Sequence, residues 1–402
     1  MALMAVAEAL QRVLADARAL PVETVPLNEA HGRVLAEDLS AQRTQPPTAV
    51  SAMDGYAVRA ADVVKTPVRL RLVGKVAAGH PFDGEVKIGE TARIFTGGVV
   101  PKGADTVVIQ EIATREGDTI TFQKSTSKGR NVRDQGIDFT QGQKLLSKGR
   151  RLTDRDVMLA AAMNYPKLSV HRRPKVTVLG TGDELMAPGV SLKPGEIVYS
   201  NGFALTALAR NEGAEVSDLG ITRDKLDDIA AAVRRARDSG ADILLTSGGA
   251  SVGEHDLVQR ALASEGLDLS FWRVALRPGR PMMHGRLGTM QVLGVPGNPA
   301  SSYVCAVLFL VPLIRRLSGR VDVEHLTQRA LLGSDLPAND ERADYLRATL
   351  FEGPEGPVAT PLPAQDSSLM APLAKADCLL IRAPNAPAAS SGSQCVILKL
   401  AL

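Results

Sequence analysis

The 402-residue chain predicts a multidomain α/β plus β protein, with a doubly wound α/β domain at its chemical centre. Three observations predict this. The chain is too long for a single hydrophobic core. Between residues 175 and 320, short apolar strands alternate with helical stretches, and glycine-rich turns follow the strands. That is the pattern of a mostly parallel sheet covered on both faces. Short β-type runs broken by Gly, Pro and Asp fill residues 68–122 and the region after Arg320, which suits two further small β units.

Residues 4–18 carry apolar positions at helical spacing and stop before Pro21; a second helical piece is expected over Asn28–Ala36, with Asn28 as its N-cap. Gln45–Ala57 reads as a loop, because its prolines exclude helix and Asp54-Gly55 signals a turn. The runs Arg69–Val76, Thr91–Ile94, Thr106–Gln110 and Thr119–Phe122 then read as strands, and residues 150–165 return to helix. The division expected is a helical linker body at 1–42 and 142–174, an inserted β domain at 43–141, an α/β domain at 175–320 and a small β domain at 321–402.

Within the α/β domain, strands are expected at Lys175–Gly180, Glu215–Gly220, Ile243–Leu245 and Met290–Gly294. Helices are expected at Phe203–Glu212, Asp224–Asp238 and Leu257–Ala263, and from Ala300. Four loops fall at strand carboxyl ends, where such sheets bind ligands: Thr181–Glu184, Thr222–Asp224, Ser247–Asp256 and Pro296–Pro299. Backbone N–H groups of the glycine-rich Ser247–Gly253 segment can face an anion. The same rim collects Asp183, Glu184, Asp224, Glu254 and Asp256. Carboxylates gathered this way repel unless a cation joins them, and an all-oxygen donor set points to Mg²⁺. Nearby, Arg273, Arg277 and Arg280 offer guanidinium forks suited to phosphate or another tetrahedral oxyanion, against the plainer reading of surface arginines paired with acids. His255 reads as a packing residue. No G-x-G-x-x-G fingerprint, Walker A motif or Ser/His/Asp signature is present.

Composition narrows the classes. A net charge of +3 spread over many charges of both signs argues against a dedicated nucleic-acid binder. Cys305, Cys378 and Cys395 have no metal-ligand spacing and cannot all pair, which favours a reducing compartment. No signal peptide is read at the N-terminus. The longest apolar run, Tyr303–Ile314, falls short of the roughly 20 residues that span a bilayer, so it is expected to be a buried helix of a cytoplasmic protein with no membrane partner.

Six motifs then stand in one order: Ser51–Ala57, Arg93–Gly97 with Pro101–Asp105, Val132–Asp138, Thr181–Leu185, Ser247–Asp256 and Pro296–Pro299. Together they resemble the molybdopterin molybdenumtransferase (MoeA) family, to which the E domain of gephyrin also belongs. The resemblance runs from about residue 5 to 320 and is weaker to 402. It implies an elongated homodimer with a helical linker domain, an inserted β domain, a molybdopterin-binding α/β domain and a C-terminal β barrel. The implied reaction takes adenylylated molybdopterin and molybdate and releases AMP in a Mg²⁺-dependent step.

Carried onto this chain, the implied catalytic residues are Asp54, Thr96, Asp138, Glu184, Asp224 and Asp256, with Glu184, Asp224 and Asp256 holding Mg²⁺. The implied substrate and oxyanion residues are Ser247, Gly248, Gly249, Ser251 and Gly253, then Arg273 and Arg277, Pro296 and Asn298. Arg347 and Ser367 of the C-terminal domain complete the set. Asp54, Thr96 and Asp138 would reach the α/β rim of a second subunit across the dimer. The molybdopterin adenylyltransferase and molybdoenzyme apoproteins are the further partners implied. Two departures stand out: Arg273 and Arg277 occupy positions commonly lysine in the family, and Thr48-Ala-Val replaces its usual Phe-Asp-Asn. The alternative is a paralogue acting as a molybdopterin-binding or scaffold protein.

Overall fold

The structure is a computed structural model that describes residues 3–248 and 257–400. In the α/β domain the strands run in the order Glu215–Thr222, Lys175–Thr181, Ile243–Ser247, Met290–Val295, Met283–Leu287, Asp268–Trp272. The first four are parallel and the last two antiparallel. Strand Ile243–Ser247 is buried along its whole length, as a central parallel strand covered on both faces must be. Its residues alternate between the two cores. Ile243 and Leu245 pack with Leu205, Ala209, Val304 and Leu313, whereas Leu244 packs with Ile229, Val233, Val258 and Leu262. The sheet is therefore doubly wound. The antiparallel pair Asp268–Trp272 and Met283–Leu287 was not expected from the sequence, because Gly285 and two polar neighbours break the apolar run.

The apolar helix is longer than its expected core. It spans Pro299–Leu317, with a π-helical turn at Ala306–Leu310. It is long and apolar enough to cross a membrane by composition, yet 83% of its most apolar window is inside the protein. It is a core helix. The π turn leaves the Val307 carbonyl available, and the His325 ring nitrogen Nε2 lies 2.6 Å from it.

The N-terminal helix forms at Val6–Ala15. It buries Ala9 and Val13 against the α/β core rather than among the linker residues. The expected helix over Asn28–Ala36 does not form. A single 3₁₀ turn, Leu27–Glu29, gives way to a strand at Val34–Leu35, paired with Val170 and His171. Local propensity loses here to a ladder partner more than a hundred residues away. The linker body is completed by strands Val22–Pro26 and Lys167–His171 and by helix Asp154–Ala162. A reciprocal Thr153/Asp156 capping box starts that helix.

The inserted domain is a six-stranded sheet in the order Thr106–Ile109, Gly55–Val58, Glu90–Ile94, Val68–Val76, Thr119–Phe122, Ala113–Glu116. The C-terminal domain is a closed barrel of five strands. Ala343–Gly353 pairs with Gly356–Pro361, which leads through Thr327–Leu332 and Gln394–Lys399 to Cys378–Arg382 and back to Ala343–Gly353. The α/β domain contributes a sixth, external strand, Leu276–Arg277, parallel to Ala343–Asp344.

Candidate functional site

At the carboxyl ends of the parallel strands lies a cavity of about 510 Å³, bounded by Thr181, Glu184, Ser247, Gly248, Gly297 and Asn298. Leu185, Leu192, Ile197 and Val198 form an apolar wall, and Ser368 and Met370 close it from the barrel side. Cavities at this end of an open α/β sheet follow from the topology. Gly248 has φ +95°, and a Cβ there would come within 2.4 Å of the Thr181 carbonyl. Only glycine lets the two strand-end loops approach so closely.

Asn201, which sequence reasoning missed, joins the loops. Its Nδ2 donates to Ser247 Oγ at 2.9 Å and to the Gly297 carbonyl at 2.7 Å. Its only sequence signal is its place at the start of the helix that follows a strand, and that signal is too general to single it out. Pro296 is buried beneath the loop, and Gly297 and Asn298 are exposed above it. The Asn298 side chain donates to Ser367 Oγ at 2.8 Å, and the Ala300 N–H donates to the Ser367 carbonyl at 2.9 Å. The barrel residue expected at the site therefore rests directly on the Pro296–Pro299 loop.

Part of the expected acidic rim is described, at Asp183, Glu184 and Asp224. The Asp224 N–H donates to Asp183 Oδ1 at 3.2 Å. Partial burial, then the nearby carboxylates of Asp183 and Glu184, push the Asp224 carboxyl up from its ordinary range. That is the signature of an oxygen-rich cluster short of positive charge, and it fits a hard divalent cation. Among the described residues, no three carboxylate, histidine or cysteine side chains form a ready metal cage. Gly249, Ser251, Gly253, Glu254, His255 and Asp256 lie outside the described residues.

The remaining expected residues divide into three places. In the inserted domain, Thr96 donates to Asp54 Oδ1 through both its N–H and its hydroxyl, each at 2.8 Å. These bonds hold the Asp54 carboxyl below its ordinary range, so it stays ionised at neutral and mildly acidic pH. Asp138 is exposed, with its N–H bonded to the Gln45 carbonyl, and among the described residues no hydrogen bond joins it to Asp54 or Thr96. No hydrogen bond or ion pair joins this trio to the α/β rim among the described residues.

Arg273 and Arg277 do not line the rim cavity. Arg273 sits at φ +103°, with its Nε buried and without a hydrogen-bond partner among the described residues and its guanidinium 5.3 Å from the Trp272 ring. A strained, unsatisfied arginine is a functional pointer. Arg277 instead grips the barrel: its Nε and Nη2 donate to the two oxygens of Asp344 at 2.7 and 2.6 Å, and Nη1 reaches Asp340 at 3.4 Å. Its fork is occupied, and the plainer reading of an arginine paired with acids describes it. Arg277→Ala is expected to leave the buried Asp344 carboxylate unpaired and to cost about 2–3 kcal/mol, read as a lower Tm. An unchanged Tm would mean the pair contributes nothing to the seam between the domains.

Arg347 is 1% exposed. Its Nη2 donates to the Asp366 carbonyl at 3.0 Å, and its backbone N–H and carbonyl are both bound by the Gln365 side chain. It shapes the loop that presents Ser367.

Comparison with known proteins bears on this arrangement. Residues 4–164 match the MoeA N-terminal region (domain I and II), residues 177–316 a probable molybdopterin binding domain, and residues 329–400 the MoeA C-terminal region (domain IV). The molybdopterin molybdenumtransferase of Haemophilus influenzae is 34% identical over 368 residues, covering 90% of each chain. That of a Nostoc species is 38% identical over 304 residues, covering 74% of this chain and 70% of its own. This chain belongs to the molybdopterin molybdenumtransferase family. The crystal structure of a molybdopterin biosynthesis MoeA protein from Pyrococcus horikoshii superposes with a TM-score of 0.82 at 30% identity, covering 99% of both chains. As a molybdenumtransferase family member the chain is a transferase with a role in molybdenum cofactor biosynthesis, and the α/β fold and closed barrel expected from its sequence are those of the family.

Proposed function

We propose that this chain inserts molybdenum from molybdate into adenylylated molybdopterin, with Mg²⁺-dependent release of AMP. The observation that supports the reading is the rim cavity, whose lining includes Glu184, Ser247 and Gly248, with Asp183 and Asp224 close enough to Glu184 for the Asp224 carboxyl to feel both charges. The bond to be broken is the phosphoanhydride between the pterin phosphate and AMP. Ser247 and Gly248 bind the phosphate end, with Asn201 keeping the two loops in register. Glu184 and Asp224, with Asp256, would hold Mg²⁺, whose charge neutralises the pyrophosphate oxygens. Arg273, whose guanidinium is engaged by no acid among the described residues, would be the arginine of the pair to take a molybdate oxygen.

The separation of Asp54, Thr96 and Asp138 from this rim supports a homodimer in which a second copy supplies them. We assign the reaction to the cytoplasm, where Cys305 and Cys378, free and buried, stay reduced. The molybdopterin adenylyltransferase would deliver the substrate, and molybdoenzyme apoproteins would receive the product.

The test is AMP release from adenylylated molybdopterin, followed with and without molybdate and Mg²⁺, alongside sedimentation of the protein at micromolar concentration. Release that requires both ions, by a dimer, is expected. No release under any condition would sink the reaction, and a monomer that turns over would sink the shared site.

A further inference from the structure

Arg93 is a cation that stands against the Asp54 turn and whose charge acts on the Asp54 carboxyl. It lies directly opposite Tyr56 in the antiparallel pair of Gly55–Val58 with Glu90–Ile94, so both side chains stand on one face. Its guanidinium is held between two rings, 5.0 Å from Tyr56 and 4.8 Å from Phe95. Stacking of this kind fixes a planar cation's orientation as well as its position. From there Nη1 donates to the Gly55 carbonyl at 3.2 Å, and Nη2 donates to the side-chain oxygen of Gln110. Gln110 returns its own backbone N–H to the Asp54 carbonyl at 3.2 Å. The two peptide groups that flank Gly55 are thus held together, the Gly55–Tyr56 carbonyl directly by the guanidinium and the Asp54–Gly55 carbonyl through Gln110. Gly55 leaves no slack for adjustment, since a Cβ there would stand 2.0 Å from the Val108 carbonyl.

We propose that Arg93, acting with Gln110, is a positioning residue that fixes the Asp54 turn, so that the carboxylate presented with Thr96 meets the reaction in one orientation. The proposal rests on the reading that Asp54 belongs to the active site. A lysine keeps the charge but has neither the fork nor the planar face, so Arg93→Lys isolates geometry from charge. The experiment is a double-mutant cycle on AMP release, using Arg93→Lys, Asp54→Asn and the double variant, with KM and Tm measured for each.

Arg93→Lys is expected to lower kcat by roughly ten- to a hundredfold, the range for a displaced catalytic group, while KM and Tm stay near the parent's. In the Asp54→Asn background the same change should do nothing further, because a positioning residue has no effect once the group it positions is gone. Parental turnover in Asp54→Asn would remove Asp54 from the site and this proposal with it. Loss of turnover in Asp54→Asn with parental turnover in Arg93→Lys would overturn the clamp alone. Equal losses in both backgrounds, or a fall in Tm that accounts for the loss, would also overturn it by showing a general structural role.

Discussion

Replacing Asp224 with Asn is expected to abolish Mg²⁺-dependent AMP release while making the protein slightly more resistant to heat at neutral pH. The two effects share one cause. Partial burial and the carboxylates of Asp183 and Glu184 raise the Asp224 pKa, so its ionised form is disfavoured in the folded state. The sign follows from linkage. A carboxyl whose folded pKa lies above its unfolded value destabilises the fold increasingly as pH rises between the two, and the penalty persists at neutral pH. Removing the charge removes the penalty, so Tm should rise near pH 7 and be unchanged well below the ordinary Asp range, where both states are protonated. Glu184→Gln should act in the same direction on turnover. A readout independent of activity is available, because a ligand that binds only the folded state raises its Tm. Mg²⁺ should raise the Tm of the parent and fail to do so in the variant that combines Asp224→Asn with Glu184→Gln. An equal Mg²⁺ response in both proteins would place the cation elsewhere.

The second large effect is expected at Arg347. Truncation to Ala removes a side chain that is almost wholly buried and strips the Asp366 carbonyl of a donor. Cavity and unsatisfied carbonyl together should cost about 3–4 kcal/mol, read as a lowered denaturation midpoint at unchanged m-value. Because Arg347 Nε has no partner, Arg347→Met should recover part of that loss. It should not recover the loop geometry that presents Ser367 to Asn298, so its KM should remain raised. If Arg347→Met matched the parent in both stability and KM, the buried guanidinium would have no role in shaping the loop.

Particular residues show what was legible in the sequence. Four of the six strands of the inserted domain could be read, with ends within a residue or so, because apolar positions recur between Gly, Pro and Asp punctuation; Gly55–Val58, mostly inside the stretch expected to be a loop, and Ala113–Glu116 were missed. The α/β strands at Lys175–Thr181, Ile243–Ser247 and Met290–Val295 could be read because buried parallel strands are near-continuous apolar runs. Asn28–Ala36 misled, because nothing local announces that Val34 and Leu35 will be captured by Val170 and His171. The same limit applied at the site. Glu184, Asp224, Ser247 and Asn298 fall at strand ends that the alternation itself locates. The engagement of Arg277 with Asp344 spans 67 residues, and Asn201 bridges to Gly297 over 96. Such pairs are set by the packing of whole domains, and one sequence carries no periodic trace of them.

The Ala300 N–H belongs to the first turn of the helix that begins at Pro299, where no intrahelical partner exists. Asn298 makes no side-chain capping bond to that helix; the Ser367 carbonyl of the barrel fills the vacancy. The longest core helix of the α/β domain therefore borrows part of its cap from another domain. Undocking the barrel would leave the Ala300 N–H without that partner, at the loop that borders the cavity. A change in the barrel's seat therefore bears directly on the loop that borders the cavity.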